Sequence, residues 1–133
     1  MTSYLLDTHV WDWAIKLDDS LPSHIAEILI ASDMNHVSPV TFYEIAQKVR
    51  IGKWPEMAAF SDRLEDILHD QGGVIAVLSG SIAQNAGLLD WDHRDPFDRI
   101  IASTAIVMKL PLMSADPAFD ALSHRADWPG RVW

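Results

Sequence analysis

The 133-residue chain contains no cysteine. That absence excludes a disulfide framework, a thiolate metal site and a cysteine nucleophile, and it suits a reducing cytoplasm. No window approaches the ~20 apolar residues of a membrane span. The opening MTSYLLDTHVW has neither a basic leader nor a long apolar run, so no signal peptide and no membrane association are expected. There is no glycine-rich phosphate loop and no G-x-S-x-G elbow. The six histidines show no zinc-type spacing. Basic residues are also scarce: ten against nineteen acids, a formal net charge of −9. Such a surface repels bulk nucleic acid unless local bases and metal cations intervene, and it suits a basic protein partner.

What is present is a core. Apolar residues make up 49% of the chain, so a single domain spanning 1–133 can bury roughly two-thirds of its unfolded surface. YLLD at 4–7 reads as a buried strand ending in an acid, and the following THVWDWAIKL has helical spacing. Asp18-Asp19-Ser20-Leu21-Pro22 breaks the chain before a second helix, SHIAEILIA. Asn35-His36-Val37 reads as a strand, and Ser38-Pro39 is an N-cap with proline at the first helical position. The pattern predicts a helix over 56–69, stopped by Gln71-Gly72-Gly73, then a buried β-branched strand at 74–78 and a helix over 79–89. Asp95-Pro96 opens a helix running to about Lys109, and PLMSAD at 111–116 repeats the apolar strand ending in Asp. Strands alternating with helices predict an α/β fold with a mainly parallel sheet covered on both faces. In such sheets ligands bind beyond the carboxyl ends of the strands, where Asp7 and Asp116 stand.

Read singly, each acid has a structural role available. Asp95 precedes Pro96 and is an N-cap; Asp98 meets the positive end of the same helix; Asp116 precedes Pro117; Asp7, or Thr8 instead, caps the first helix. Together, four such carboxylates on one rim would crowd like charge, which a cation relieves. Glu44 falls outside the main apolar stripe of Phe42, Ile45, Ala46 and Val49, so spacing alone makes it a solvated glutamate. Lys48, Arg50 and Lys53 form a small basic group that reads as solvated. His9 faces either the rim or solvent, and the tryptophans Trp11, Trp13, Trp54 and Trp91 read as core or interface rather than base-stacking platforms.

The ordered segments DTHVW, SPVTFYEIAQKVRIGK and DHRDPFDRIIASTAIVMKLPLMSADPAF resemble the PIN-domain ribonucleases, in particular the VapC-type toxins of bacterial toxin–antitoxin pairs. The resemblance runs from Tyr4 to about Asp120. It implies a compact three-layer α/β/α sandwich with a parallel sheet. It also implies an Mg²⁺- or Mn²⁺-dependent endoribonuclease leaving 5′-phosphate and 3′-hydroxyl ends. The implied partners are an RNA substrate, a basic cognate antitoxin and a homodimeric or hetero-oligomeric assembly. Carried over residue by residue, the catalytic and metal-ligating acids are Asp7, Glu44, Asp98 and Asp116, with Asp95, of the D-P-F-D-R form of the motif, ranked behind Asp98. Beside the resemblance, Thr8 is an accessory position and Arg99 or Arg94 is available for a substrate phosphate, Arg94 reading rather as exposed. Two other readings are compatible with an acid-rimmed α/β domain. One is a non-catalytic PIN-like interaction module. The other is a receiver-type phosphoacceptor domain, against which stands the central VIAVLSG, a strand closing without an acid.

Overall fold

A computed structural model describes residues 2–133. In chain order the elements are β1 (Tyr4–Leu6), α1 (Thr8–Lys16), α2 (Ser23–Ala31), β2 (Asn35–Val37) and α3 (Pro39–Arg50), then a 3₁₀ turn (Pro55–Met57), α4 (Leu64–Asp70), β3 (Val74–Ile75), α5 (Gly80–Leu88), α6 (Pro96–Met108), β4 (Leu112–Met113), a 3₁₀ helix (Pro117–His124) and β5 (Arg131–Val132). The five strands form one parallel sheet in the order β3-β2-β1-β4-β5. Leu5 pairs with Leu112 and with His36, which places β1 at the centre.

The period-two alternation of the central strands builds the two cores. Leu5 and Leu112 enter one cluster with Ile101, Ala105, Phe119 and Leu122. Leu6 and Met113 point the other way, into a cluster with Val10, Trp11, Ile25, Ile45 and Leu68. Helices therefore cover both faces of the sheet, giving the expected α/β/α sandwich.

Most predicted boundaries agree with the structure. Ser38 caps α3 by accepting from the Val40 N–H at 3.2 Å, and Asp95 caps α6 through the Phe97 N–H at 2.9 Å. Two predictions need correction. The helix expected over 56–69 is broken: a 3₁₀ turn and an irregular stretch precede α4, with Met57 and Leu64 each buried from separate pieces. The strand expected at 74–78 is neither long nor buried. Only Val74 and Ile75 pair, at the sheet edge, and of the five residues only Ala76 is buried. β5 was not anticipated, because Arg131-Val132 is too short to show a period. Among the described residues no helix is long and apolar enough to cross a membrane.

Candidate metal-binding cleft

The carboxyl ends of β1 and β4 and the starts of α1 and α6 meet at one rim. A cleft of about 440 Å³ opens there, lined by Asp7, Thr8, His9, Trp13, Glu44, Lys48, Asp95, Asp98, Ala115 and Asp116. The four acids carried over from the resemblance thus converge from four different elements, together with Asp95 and Thr8.

Asp7 sits at the end of β1 and is buried. Its Oδ1 accepts from the Thr8 N–H at 2.7 Å and its Oδ2 from the Ser114 hydroxyl at 2.7 Å. Burial pushes its carboxyl above the usual carboxylate range; the two hydrogen bonds oppose this and the Glu44 charge adds to it. Ser114 is a site residue that sequence reasoning missed, although its place in the strand-end LMSAD was visible. Its hydroxyl also accepts from the Asp116 N–H at 3.1 Å, so one buried serine sets both acids. Asp116 caps the following 3₁₀ helix through the Ala118 N–H. Thr8 and Thr41 hydroxyls pair at 2.9 Å and tie the start of α1 to α3.

Glu44 corrects the helical-wheel reading. It is buried, because α3 is covered on two sides: Val40 packs into one core and Ile45 into the other. Its Oε2 accepts from Lys48 Nζ at 2.8 Å. Lys48 is accordingly half-buried rather than solvated, with its ammonium also 4.7 Å from the centre of the Trp54 ring.

Asp98 occupies the first turn of α6, with its Oδ2 2.7 Å from His93 Nε2. Its carboxyl is pushed up to about 6, chiefly by burial, with the charges of Asp7 and Asp95 adding and the His93 contact opposing. Donor atoms of His93, Asp95 and Asp98 all lie within 4.8 Å of one another, the one such group among the described residues, and it includes none of Asp7, Glu44 and Asp116. His93 was not singled out by the sequence.

Arg99 does not face the cleft, which overturns its expected role on a substrate phosphate. Its guanidinium donates to the carbonyls of Ala86, Leu89, Trp91 and His93 at 2.7–3.0 Å. It clamps the α5–α6 connection, and its donors are consumed there.

The donor set fits a hard divalent cation. All carboxylate oxygens, no sulfur and one imidazole suit Mg²⁺ or Mn²⁺. Asp7 and Asp98 carry raised proton affinities, and among the described residues no lysine or arginine nitrogen lies within 4.0 Å of Asp7, Asp98 or Asp116. Apart from Lys48 on Glu44, the cleft-lining acids have no such basic nitrogen beside them, so an added cation would relieve their charge.

The sequence matches the PIN domain family over residues 4–125. The chain belongs to the PIN-domain family. The fold is shared with the crystal structure of VapBC2 from Rickettsia felis bound to a DNA fragment from their promoter, at a TM-score of 0.67 and 18% identity over 99% of each chain. No curated protein matches this sequence. Family and sheet order also remove the receiver-type reading, since a flavodoxin-like sheet runs 2-1-3-4-5 and this PIN domain runs 3-2-1-4-5.

Proposed function

We propose that this PIN domain is a divalent-metal-dependent endoribonuclease and the toxin half of a VapC-type toxin–antitoxin pair. The observation that carries the reading is the convergence of Asp7, Glu44, Asp98 and Asp116 on one cleft, with the carboxyls of Asp7 and Asp98 pushed up chiefly by burial and further by neighbouring acids. Asp7 would be the principal metal ligand, held together with Glu44 and Asp98, and Asp116 would support a second or weaker position. Mg²⁺ or Mn²⁺, when bound, would supply a water of lowered pKa and stabilise charge at the phosphate. The chain's own residues do the positioning. Ser114 and the Thr8 amide hold the Asp7 carboxylate in one rotamer, and Ser114 sets the turn that presents Asp116. Glu44 is restrained by Lys48 until a cation competes for it. No side-chain nucleophile is required, and the products are expected to carry 5′-phosphate and 3′-hydroxyl ends.

The partner proposed is a basic antitoxin, which the acidic surface suits, in a homodimeric or hetero-oligomeric assembly in the cytoplasm. The likeness to VapBC2, a toxin–antitoxin pair, supports this choice. The decisive experiment incubates purified protein with RNA and Mg²⁺ or Mn²⁺, and repeats it with Asp7→Asn. Metal-dependent cleavage by the parent and none by a folded Asp7→Asn variant is expected. Cleavage unchanged in that variant rejects the mechanism. Calorimetric metal binding without cleavage of any RNA favours the interaction-module reading instead.

A further inference from the structure

Every acid of the cleft but one is held by a donor that the fold fixes. Asp7 accepts from the Thr8 N–H and the Ser114 hydroxyl. Asp95 and Asp116 accept from the N–H groups of Phe97 and Ala118. Asp98 meets His93, whose ring stacks on Trp91 and whose carbonyl is gripped by Arg99. Glu44 is the exception. Its buried carboxylate is held by the ammonium of Lys48, at 2.8 Å. Lysine carries a point charge on a flexible four-carbon stem, so this partner can be exchanged without moving the backbone.

A glutamate and a lysine one helical turn apart are commonplace, and on a solvated face such a pair contributes little. Two observations set this pair apart. Lys48 is the single lysine or arginine lining the cleft, where it stands among the carboxylates of Asp7, Glu44, Asp95, Asp98 and Asp116. Its ammonium also has a second seat, 4.7 Å from the centre of the Trp54 ring. Trp54 is fixed in that place. Its N–H donates to the Lys48 carbonyl at 3.2 Å, and its ring meets His9 edge-on at 5.3 Å. The ammonium therefore rests between a carboxylate and an aromatic face, and it can release the first while keeping the second.

We propose that Lys48 is an exchangeable cation of the cleft: it neutralises Glu44 while no divalent ion is bound, and it holds a phosphate oxygen of the RNA once such an ion has taken that carboxylate. The inference rests on the nuclease reading and adds a substrate-contacting residue to it. Two cations on one buried carboxylate repel each other, and the repulsion is stronger in a partly desolvated cleft than in water. Sharing Glu44 is therefore costly, and the side chain that can move is the lysine. Freed from Glu44, the ammonium is the one mobile positive charge of the chain lining the cleft, and the anion that enters there is a phosphate. Lys48 thus affects the two ligands with opposite sign. It opposes the divalent ion in the free protein and favours RNA in the loaded one.

The test measures both ligands on the full chain. Lys48→Gln removes the charge and leaves an amide to donate to Glu44. Lys48→Met is a second neutral variant that keeps the stem against Trp54. Lys48→Arg keeps the charge, and Lys53→Gln removes the same charge at an exposed position that does not line the cleft. Mn²⁺ alone is titrated by electron paramagnetic resonance, without RNA. Both neutral variants are expected to bind it about threefold or more tighter than the parent, and Lys48→Arg and Lys53→Gln are expected to match the parent. A short fluorescent RNA is then titrated by anisotropy at saturating Ca²⁺, with a gel to show that it stays intact. The neutral variants are expected to bind it about fivefold more weakly, with the slope of log K against log salt smaller by about 0.7, one phosphate contact. Lys48→Arg is expected to restore both. Mn²⁺ affinity unchanged in the folded neutral variants, or RNA affinity and salt slope unchanged in them, overturns the inference and leaves Lys48 as a helix-surface pair. Cleavage with Mn²⁺ is scored separately on the parent. Cleavage by the parent together with either unchanged result defeats the inference alone. A parent that neither binds RNA with Ca²⁺ nor cuts it with Mn²⁺ defeats the nuclease reading and the inference with it.

Discussion

At the scale of single residues, the cleft works through carboxylates kept at unfavourable cost. Asp98 is the sharpest case, with its proton affinity raised to about 6. A raised carboxyl binds more protons folded than unfolded between its ordinary value near ~4 and its folded value. In metal-free protein its contribution to stability is therefore favourable at low pH and is lost as pH rises through that window. Asp7 acts in the same direction. Thermal unfolding should consequently show Asp98→Asn raising Tm at pH 7–8 and leaving it little changed near pH 4, while Mg²⁺ or Mn²⁺ raises the Tm of the parent and not of the variant. A variant that is less stable at pH 8 would mean that ionised Asp98 is satisfied without metal. Asp95 is the contrasting acid. It is exposed and caps α6, so Asp95→Ala should lower stability by about 0.5–2 kcal/mol while sparing activity more than Asp98→Asn does. Asp7, Asp98 and Asp116 were legible in the sequence because each ends a strand or opens a helix. Glu44 was legible only through family likeness, since a helical wheel presumes one covered face and α3 has two. Ser114 and His93 were not legible, because their roles depend on contacts across 107 and 5 residues of chain that no local pattern encodes.

At the scale of elements, what could be read was whatever carried its own punctuation. Ser38-Pro39, Asp95-Pro96 and Asp116-Pro117 marked three helix starts, and the left-handed Leu17 and Lys109 end α1 and α6 just after the last apolar position. Segments 56–69 and 74–78 misled for a common reason. Their apolar residues satisfy a period, but the tertiary structure uses only part of each: Met57 and Leu64 face one core from two separate turns, and Val77 and Leu78 run past the sheet edge into solvent. The connection between α5 and α6 shows the opposite case, an irregular segment held firmly. Arg99 satisfies three of its carbonyls, those of Leu89, Trp91 and His93, and one of α5, that of Ala86, and thereby fixes His93, whose ring also stacks on Trp91 at 4.5 Å. Arg99→Met should cost about 1.5–3 kcal/mol in denaturant unfolding, the range for hydrogen bonds to a charged group. Arg99→Lys should recover little, because an ammonium cannot reproduce a planar fork reaching several carbonyls at once. Full stability in Arg99→Lys would show that charge, rather than geometry, holds the connection.

At the scale of the molecule, a body of net charge −9 that binds a polyanion must do so through few contacts. Lys48 is the one lysine or arginine lining the cleft and is already engaged by Glu44, and Arg50 and Lys53 follow it in the chain. Binding to single-stranded RNA loses about 0.7 in the slope of log K against log salt for each phosphate neutralised, so three cations give a slope of about 2 at most. On the proposed nuclease reading divalent ions would have the larger role, since they would convert the cleft from a site that repels phosphate to one that attracts it. The expected behaviour is thus inverted from that of a basic nucleic-acid-binding protein. Raising KCl from 50 to 200 mM at a fixed concentration of Ca²⁺, which also takes oxygen ligands, should weaken RNA binding by roughly 16-fold at most, as a slope of about 2 requires. Chelating the divalent ion should weaken it more than that at either salt. The same logic applies to a basic antitoxin, whose arginines pair well with carboxylates. Its inhibition should weaken as Mg²⁺ or Mn²⁺ rises at constant ionic strength, because the two cations compete for one set of acids. Anisotropy across the two titrations checks the first expectation and inhibition curves the second. A monovalent-salt slope of six or more, with no response to chelation, would place RNA on some other face and leave the acidic cleft without a part in holding it.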